Sequence, residues 1–127
     1  MSLLIDTHVF LWFESGSGKL GRDLRTTIAR SQERVFVSAA SFWEIAIKRR
    51  TGKLELAGSP RAAALATGFV ELPIDGADAE TAGALDWEHR DPFDRMLVAQ
   101  CLNRGLTLVT ADAGLRTRSD IALIWAG

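Results

Sequence analysis

Short apolar runs alternate along the chain with longer segments in which apolar residues recur every three or four positions. The short runs are apolar at successive positions, as is typical of parallel strands covered on both faces. They predict five strands, at Leu3–Asp6, Val35–Ser38, Phe69–Leu72, Leu106–Thr110 and Ile121–Trp125. The chain therefore has the strand content of one small sheet.

The longer segments predict helices between these strands. The segment after the second strand has helical spacing at Phe42, Ile45 and Ala46, and Gly52 lies where such a helix ends. The predicted helices are Thr7–Glu14, Gly21–Ser31, Ala39–Arg50, Pro60–Thr67, Ala77–Trp87, Pro92–Arg104 and Ala113–Thr117. Alternating strands and helices predict an α/β fold, with a parallel central sheet of about five strands flanked by helices.

Composition places the sequence among ordinary globular proteins. A length of 127 residues predicts a single domain, 1–127, and 47% apolar with 24% charged residues excludes a disordered chain. The net charge of −1 is not that of a generally basic nucleic-acid binder, so such contacts need local patches or a bound metal. Cys101, the single cysteine, is expected in the core and fits a reduced, cytoplasmic setting. No apolar run predicts a signal peptide or a membrane span.

Acidic residues follow two of the predicted strands. Asp6 ends the first strand and Asp112 follows the fourth, and ligands of parallel α/β sheets bind at this carboxyl edge. Asp94 begins the helix that leads into the fourth strand, so the chain returns to the same edge at Asp112. Glu44 lies early in the helix after the second strand and can point towards that edge too. The pattern predicts four carboxylates in one pocket.

Each acid also has a structural explanation. Asp6 and Asp112 could each cap the helix that follows. Asp91 stands before a proline, as an N-cap residue often does, and Asp94 would then occupy the first helical turn. Glu44 could complete a capping box with Ser41 or pair with Lys48 one turn later. Four acids from four elements favour a common site, because their mutual repulsion is relieved by a hard cation such as Mg²⁺ or Mn²⁺.

Five segments carry a resemblance to a known family. They are Leu4-Ile5-Asp6-Thr7-His8 with Leu11-Trp12 after it, Ser38 through Trp43-Glu44-Ile45-Ala46-Ile47-Lys48, Gly52-Lys53-Leu54, His89-Arg90-Asp91-Pro92-Phe93-Asp94-Arg95 and Thr110-Ala111-Asp112. In these segments the sequence resembles PIN-domain proteins, and specifically the VapC-type toxins of bacterial toxin–antitoxin systems. The matching segments run from residue 4 to residue 112 and so cover nearly the whole chain.

The resemblance implies a Mg²⁺- or Mn²⁺-dependent endoribonuclease that acts on RNA. It implies that Asp6 and Asp94 are the principal metal ligands, and that Asp112 ligates directly or through water. Glu44 would complete the shell or help to activate water, and Thr110 would orient a carboxylate by hydrogen bonding. Asp91 would have a secondary part. The expected partners are a cognate VapB-like antitoxin and a second copy of the chain in a homodimer.

Other polar and aromatic residues leave more than one interpretation open. The basic run Lys48, Arg49, Arg50 and Lys53 suits either phosphate binding or a solvated helix end. Arg95 is the better candidate for a phosphate or carboxylate partner, whereas His8 and His89 are too few to predict a metal site. The aromatic residues Trp12, Phe13, Phe42 and Trp43 are expected in the core or an interface, and an antitoxin helix could dock on the Trp12 or Trp43 side.

Two rival functions fit parts of the pattern. One is a phosphoryl-transfer or phosphatase-like α/β domain with Asp6 as nucleophile. A receiver-like domain would need a lysine after a late strand, and a dehalogenase-like phosphatase would need a second aspartate at position 8, which is His8. The other rival is a non-catalytic interaction module whose acids bind a partner's arginines. Metal-dependent RNA cleavage separates the nuclease from both.

Overall fold

Five short strands form one parallel sheet in the computed structural model, which describes residues 1–127. The strands are β1 Leu3–Ile5, β2 Val35–Ser38, β3 Val70–Leu72, β4 Thr107–Thr110 and β5 Leu123–Trp125. Their order is β3-β2-β1-β4-β5, and at the centre Ile5 of β1 lies between Val37 and Val109. The prediction of a parallel α/β sheet of about five strands is confirmed.

Six helices connect the strands. They are α1 Thr7–Ser15, α2 Arg22–Arg30, α3 Ala39–Arg50, α4 Pro60–Thr67, α5 Gly76–Ala84 and α6 Pro92–Arg104. A 3₁₀ turn at Gln32–Arg34 precedes β2. Helix α6 ends at Gly105, whose positive φ of 64° is a conformation that other residues rarely adopt. None of these helices is both long and apolar enough to cross a membrane.

The two faces of the sheet pack against separate apolar layers. Successive side chains of a strand point to opposite faces, so Leu3 and Ile5 join one layer and Leu4 the other. The first layer includes Phe10 of α1 and Ile45 of α3. The second layer receives Leu97, Val98 and Cys101 from α6, and Cys101 is buried as expected. The sheet is therefore held rigidly between helices on both sides.

The strand order reverses direction between β1 and β4. Connections from β1 lead to β2 and β3 on one side, and the chain then returns to place β4 and β5 on the other. In parallel α/β sheets a crevice forms beyond the carboxyl ends of the two strands at such a reversal. Asp6 directly follows β1, and Asp112 follows β4 by two residues, so both acids stand at this crevice.

Two predicted helices differ in the structure. The short helix predicted at Ala113–Thr117 is a series of turns, in which the amides of Leu115, Arg116 and Arg118 bond to carbonyls three residues earlier rather than four. The helix predicted to reach Trp87 ends at Ala84. The Arg95 guanidinium donates to the Ala82 carbonyl, which a longer helix would pair with the Asp86 amide, and it also binds the carbonyls of Leu85 and Trp87.

Candidate functional site

A small polar pocket of about 60 Å³ opens at the crevice between β1 and β4. Its volume suits a cation with a water molecule or two. The residues that line it come from four separate parts of the chain, and none is hydrophobic: Asp6, Thr7, His8, Glu44, Lys48, Asp91, Asp94 and Asp112. The structure thus brings together the four acids that the sequence placed at one edge.

Asp6 caps α1 and lines the pocket at the same time. Its Oδ1 accepts the Val9 amide proton at 2.8 Å, and its Oδ2 accepts the Thr110 hydroxyl at 2.6 Å and the Ala111 amide at 3.3 Å. Burial raises the pKa of Asp6 although these three hydrogen bonds oppose the rise. Thr110 makes the contact predicted for it.

Glu44 is held in the first half of α3 by two neighbours. Thr7 donates its hydroxyl to Oε1 at 2.6 Å, and Lys48 donates to Oε2 at 2.7 Å. The pairing with Lys48 is therefore real, but the capping box with Ser41 does not form. Helix α3 is capped instead by Ser38, whose hydroxyl accepts the Ala40 amide proton at 3.0 Å.

Asp94 and Asp112 form a coupled carboxyl pair. Burial raises the pKa of Asp94 to about 9, and the hydrogen bond to Asp112 and the negative charges of Asp91, Asp112 and Asp6 add to this rise. The same hydrogen bond lowers the pKa of Asp112. Asp94 therefore holds the proton near neutral pH and donates it to the ionised Asp112. Asp91 caps α6 by accepting from the Phe93 and Asp94 amides.

His89 is a neighbour of this pair that the sequence reasoning set aside. Its Nε2 lies 2.7 Å from Asp94 Oδ2, and potential ligand atoms of His89, Asp94 and Asp112 all lie within 4.8 Å of one another. The sequence did indicate this contact, because His89 stands only five residues before Asp94. The sequence contains too few histidines to predict a metal site by themselves. One histidine beside two carboxylates nevertheless makes a set of three potential metal ligands.

Arg95 does not lie in the acidic pocket, contrary to the expectation for it. Its guanidinium donates to the backbone carbonyls of Ala82, Leu85, Trp87 and His89, at 2.8 to 3.1 Å. A guanidinium used in this way is not available to a phosphate or a carboxylate. Arg95 instead fixes the loop that carries His89.

The basic residues at the end of α3 make two different kinds of contact. Lys48 lines the pocket and pairs with Glu44, so its charge is available beside the acids. Arg49 closes the following loop by donating to the carbonyls of Leu56 and Gly58. Only Lys48 of this run is placed where it could meet a phosphate at the acidic site.

The donor set fits a hard divalent cation. Every acid in the pocket offers carboxylate oxygens, which Mg²⁺ and Mn²⁺ accept. The raised pKa values of Asp6 and Asp94 show that the clustered carboxylates repel one another or lose hydration, a cost that a cation removes. The geometry disfavours Asp6 as a phosphatase nucleophile, because Asp6 is only 4% exposed and both of its oxygens accept protein hydrogen bonds.

Comparison with known proteins identifies a family. The sequence model described as the PIN domain matches residues 3–120. No curated protein matches the chain.

Several solved structures share the fold at low sequence identity. VapBC2 from Rickettsia felis, solved bound to a DNA fragment from its promoter, has a TM-score of 0.73 at 11% identity, with 100% of each chain covered. DNA-bound VapBC from Salmonella typhimurium has a TM-score of 0.72 at 15% identity over 100% of this chain and 99% of that one. VapC20 of Mycobacterium tuberculosis, described as a toxin that cleaves the sarcin–ricin loop, has a TM-score of 0.57 at 18% identity over 95% and 99%.

Proposed function

Because the chain belongs to the PIN-domain family, we propose that it is a metal-dependent endoribonuclease and the toxin of a VapBC-type toxin–antitoxin pair. The observation that carries the proposal is the acidic pocket at the β1–β4 crevice. Asp6, Glu44, Asp94 and Asp112 reach this pocket from separate elements. Its donors suit a cation, and its position suits an extended substrate that lies across the edge of the sheet.

Asp94 and Asp112 would hold the cation, and Asp6 would contribute Oδ1. Three of the four lone-pair positions of the Asp6 carboxylate are taken by hydrogen bonds, which leaves one on Oδ1. A bound Mg²⁺ or Mn²⁺ supplies positive charge that neutralises the acids and polarises the scissile phosphodiester. Thr110 fixes Asp6, and Asp91 fixes the start of α6, which carries Asp94.

Glu44 and Lys48 would act on the substrate from the α3 side. The Glu44 carboxylate, oriented by Thr7, can accept a proton from a water molecule that attacks phosphorus, while the P–O bond to one ribose oxygen breaks and that oxygen takes up a proton from solvent water. Lys48, 38% exposed at its side chain, can exchange part of its contact with Glu44 for a phosphate oxygen. Thr7 then keeps Glu44 in place.

The proposed partner is a small antitoxin of the VapB kind. Trp43 is 59% exposed and packs edge-on against Phe93, beside an apolar groove that Ile74 and Met96 help to line. An antitoxin helix on this groove would bring its adjoining tail within reach of the acidic pocket. There an arginine could pair with the carboxylates in place of the cation. We also propose that the chain forms a homodimer and acts in the cytoplasm.

The nuclease assay uses purified protein with total cellular RNA and with a single-stranded RNA oligonucleotide. Wild type is expected to cleave in Mn²⁺ or Mg²⁺ and to stop in excess chelator. Asp112→Asn should reduce the rate at least about a hundredfold, whereas Asp86→Asn, at an exposed loop position, should leave it unchanged. Cleavage that persists in chelator, or full activity of Asp112→Asn, would refute the metal-dependent mechanism.

The partner is tested by co-expression with the adjacent small open reading frame. We expect the two proteins to copurify and the complex to cleave RNA more slowly than the free chain. Trp43→Ala should weaken the complex and leave the cleavage rate of the free chain unchanged, since Trp43 lies outside the pocket. Absence of a complex would refute the regulation and leave the nuclease proposal intact. If no RNA is cleaved but the complex forms, the interaction module becomes the better description.

A further inference from the structure

His89 stands in the wall between the acidic pocket and an open polar cavity. It contacts Asp94 from outside, since the residues that line the acidic pocket include Asp94 and not His89. On its other side His89 lines the open cavity together with Trp87, Arg90 and Arg95. Its side chain is 25% exposed, so it is neither a core residue nor a free surface group.

The imidazole of His89 is fixed in place from three directions. Its ring stacks on the Trp87 indole, with centroids 4.5 Å apart and planes 16° from parallel. Its backbone carbonyl accepts from Arg95 at 3.1 Å. Against its edge lies Gly114, where an added Cβ would come within 2.8 Å of the ring's Cε1. The ring is therefore held before any ligand arrives.

The packing around Trp87 strengthens this hold. The Arg118 guanidinium lies over the indole, 4.8 Å from its centroid, and is paired with Asp120. Trp87 also donates none of the hydrogen bonds that fix Asp94, so its contribution to the site is the stacking surface for His89. The stacked Trp87 indole restricts rotation of the His89 ring. This restriction indicates that the orientation of the ring matters.

We propose that His89 is a positioning residue for Asp94: its Nε2–H donates to Oδ2 and fixes the rotation of the carboxyl group in the cation-binding orientation. The inference deepens the proposed function and rests on it. Without the donor, the Asp94 carboxyl would turn more freely, with the nearest potential ligand atom of Asp112 within 4.8 Å of it. Removing such a partner of a metal ligand weakens metal binding about 10- to 100-fold.

Direct ligation of a cation by His89 is the competing interpretation. The ligand atoms of His89, Asp94 and Asp112 are close enough for it. Two observations favour positioning: His89 does not line the acidic pocket, and its Nε2 already lies at hydrogen-bond distance from Asp94. The two roles require different tautomers, because a donor carries a proton on Nε2 and a ligand through that atom does not.

The experiment measures Mn²⁺ binding to the full chain with two matched variants. His89→Gln keeps an N–H donor at about the right reach and loses the ring, whereas His89→Phe keeps the stacking ring and loses the donor. Titration calorimetry, with circular dichroism as the check on folding, should show Mn²⁺ binding about 10- to 100-fold weaker for His89→Phe and within about threefold of wild type for His89→Gln. A ring that serves only packing would give the reverse order.

Wild-type protein provides a second measurement that needs no variant. Long-range ¹H–¹⁵N correlation spectra of the Mg²⁺-loaded protein should show the His89 proton on Nε2. An Nε2 without a proton, equal Mn²⁺ affinity of His89→Phe and wild type, or equal loss in both variants would each overturn the positioning role. If wild type binds no Mn²⁺, the proposed metal site fails as well. If wild type binds it and only the variant order is wrong, the nuclease proposal survives.

Discussion

Replacement of Asp94 by asparagine is expected to stabilise the metal-free protein while abolishing metal binding. Asparagine has the shape of the protonated acid, so it can still accept from His89 and donate to Asp112. It removes a group that must take up a proton on folding, because burial and the neighbouring acids raise its pKa to about 9. The substitution therefore relieves a cost that the wild-type site carries when no cation is bound.

The size of this effect follows from the raised pKa. Each pKa unit is worth about 1.4 kcal/mol, so the interval between the ordinary value of 3.8 and pH 7 sets a ceiling of about 4 kcal/mol. Asp94 borders an open pocket, so solvent screening reduces the expected gain to the order of 1–2 kcal/mol. For a chain of this length that corresponds to a rise in Tm of roughly 3–8 °C at pH 7.

The pH dependence gives the sharper readout. Below the unfolded-state pKa of Asp94, near 4, the group is protonated in both states and costs the fold nothing. As the pH rises from there towards 9, the free energy of unfolding of the wild type falls. The Tm difference between Asp94→Asn and wild type, measured in chelator, should thus be small at pH 4 and should widen up to pH 9. Added Mn²⁺ should raise the Tm of wild type and leave that of the variant unchanged.

Asp23→Asn is the matched control, because Asp23 occupies the first turn of α2 as Asp94 occupies that of α6, but is exposed. It should lose a few tenths of a kcal/mol from the helix dipole at all pH values above 5, and Mn²⁺ should raise its Tm as much as it raises that of wild type, because the acidic pocket is unchanged. If Asp94→Asn is less stable than wild type in chelator at pH 8, the carboxyl cluster is not strained and the reasoning from its raised pKa is wrong.

Three further substitutions test the surroundings of the site. Thr110→Val leaves a buried Asp6 oxygen without its hydroxyl donor and should cost about 1–3 kcal/mol in urea denaturation, together with weaker Mn²⁺ binding in calorimetry. Gly114→Ala would place a Cβ 2.8 Å from the His89 ring and 3.2 Å from Asp112 Oδ1, so it should weaken Mn²⁺ binding about tenfold and also lower the Tm. Asp78→Ala removes a buried carboxylate that pairs with the partly exposed Arg104 and should cost about 1–3 kcal/mol by urea denaturation, while the folded fraction keeps its cleavage rate.

Most of the fold could be predicted from the sequence because its main signals are local. The five strands are runs of apolar residues, and each was placed to within two residues. Helices α3, α4 and α6 were predicted with the bounds that the structure has, since caps and glycines mark their ends. The helix predicted to Trp87 ends early because the Arg95 guanidinium takes the Ala82 carbonyl that a longer helix would use, and at Ala113–Thr117 the amides bond to carbonyls three residues earlier, as in turns.

The site was predicted less completely, because its contacts join distant parts of the chain. The edge of a parallel sheet brings the residues that follow its strands together, so Asp6 and Asp112 could be placed from sequence alone. The fold of the loop before α6 could not, since it depends on Arg95 binding carbonyls up to 13 residues earlier in the chain. That loop places His89 against Asp94, and its backbone carbonyls hold the Arg95 side chain away from the pocket. Neither placement was predicted from the sequence.

Capping and metal binding, which the sequence presented as alternatives, are compatible in the same side chains. A cap uses one lone pair of a carboxylate, and a carboxylate has about four. Asp6 caps α1 through Oδ1 and still lines the pocket, whereas Asp91 caps α6 so that Asp94 is held in its first turn. Because each cap fixes a backbone segment that begins at the sheet edge, the hydrogen bonds that start the helices also hold the acids together against their repulsion.

Substitutions of Asp6 separate the two contributions of its carboxylate. Asp6→Ala should destabilise α1 by about 1 kcal/mol or more and also weaken Mn²⁺ binding, with the two losses measured separately by urea denaturation and calorimetry. Asp6→Asn keeps an oxygen for the cap but turns an amide donor towards the Ala111 N–H, so it should lose the Mn²⁺ affinity and lose less stability than Asp6→Ala. Equal stability losses in the two variants would show that the cap contributes nothing, and the acids would then need another support against their repulsion.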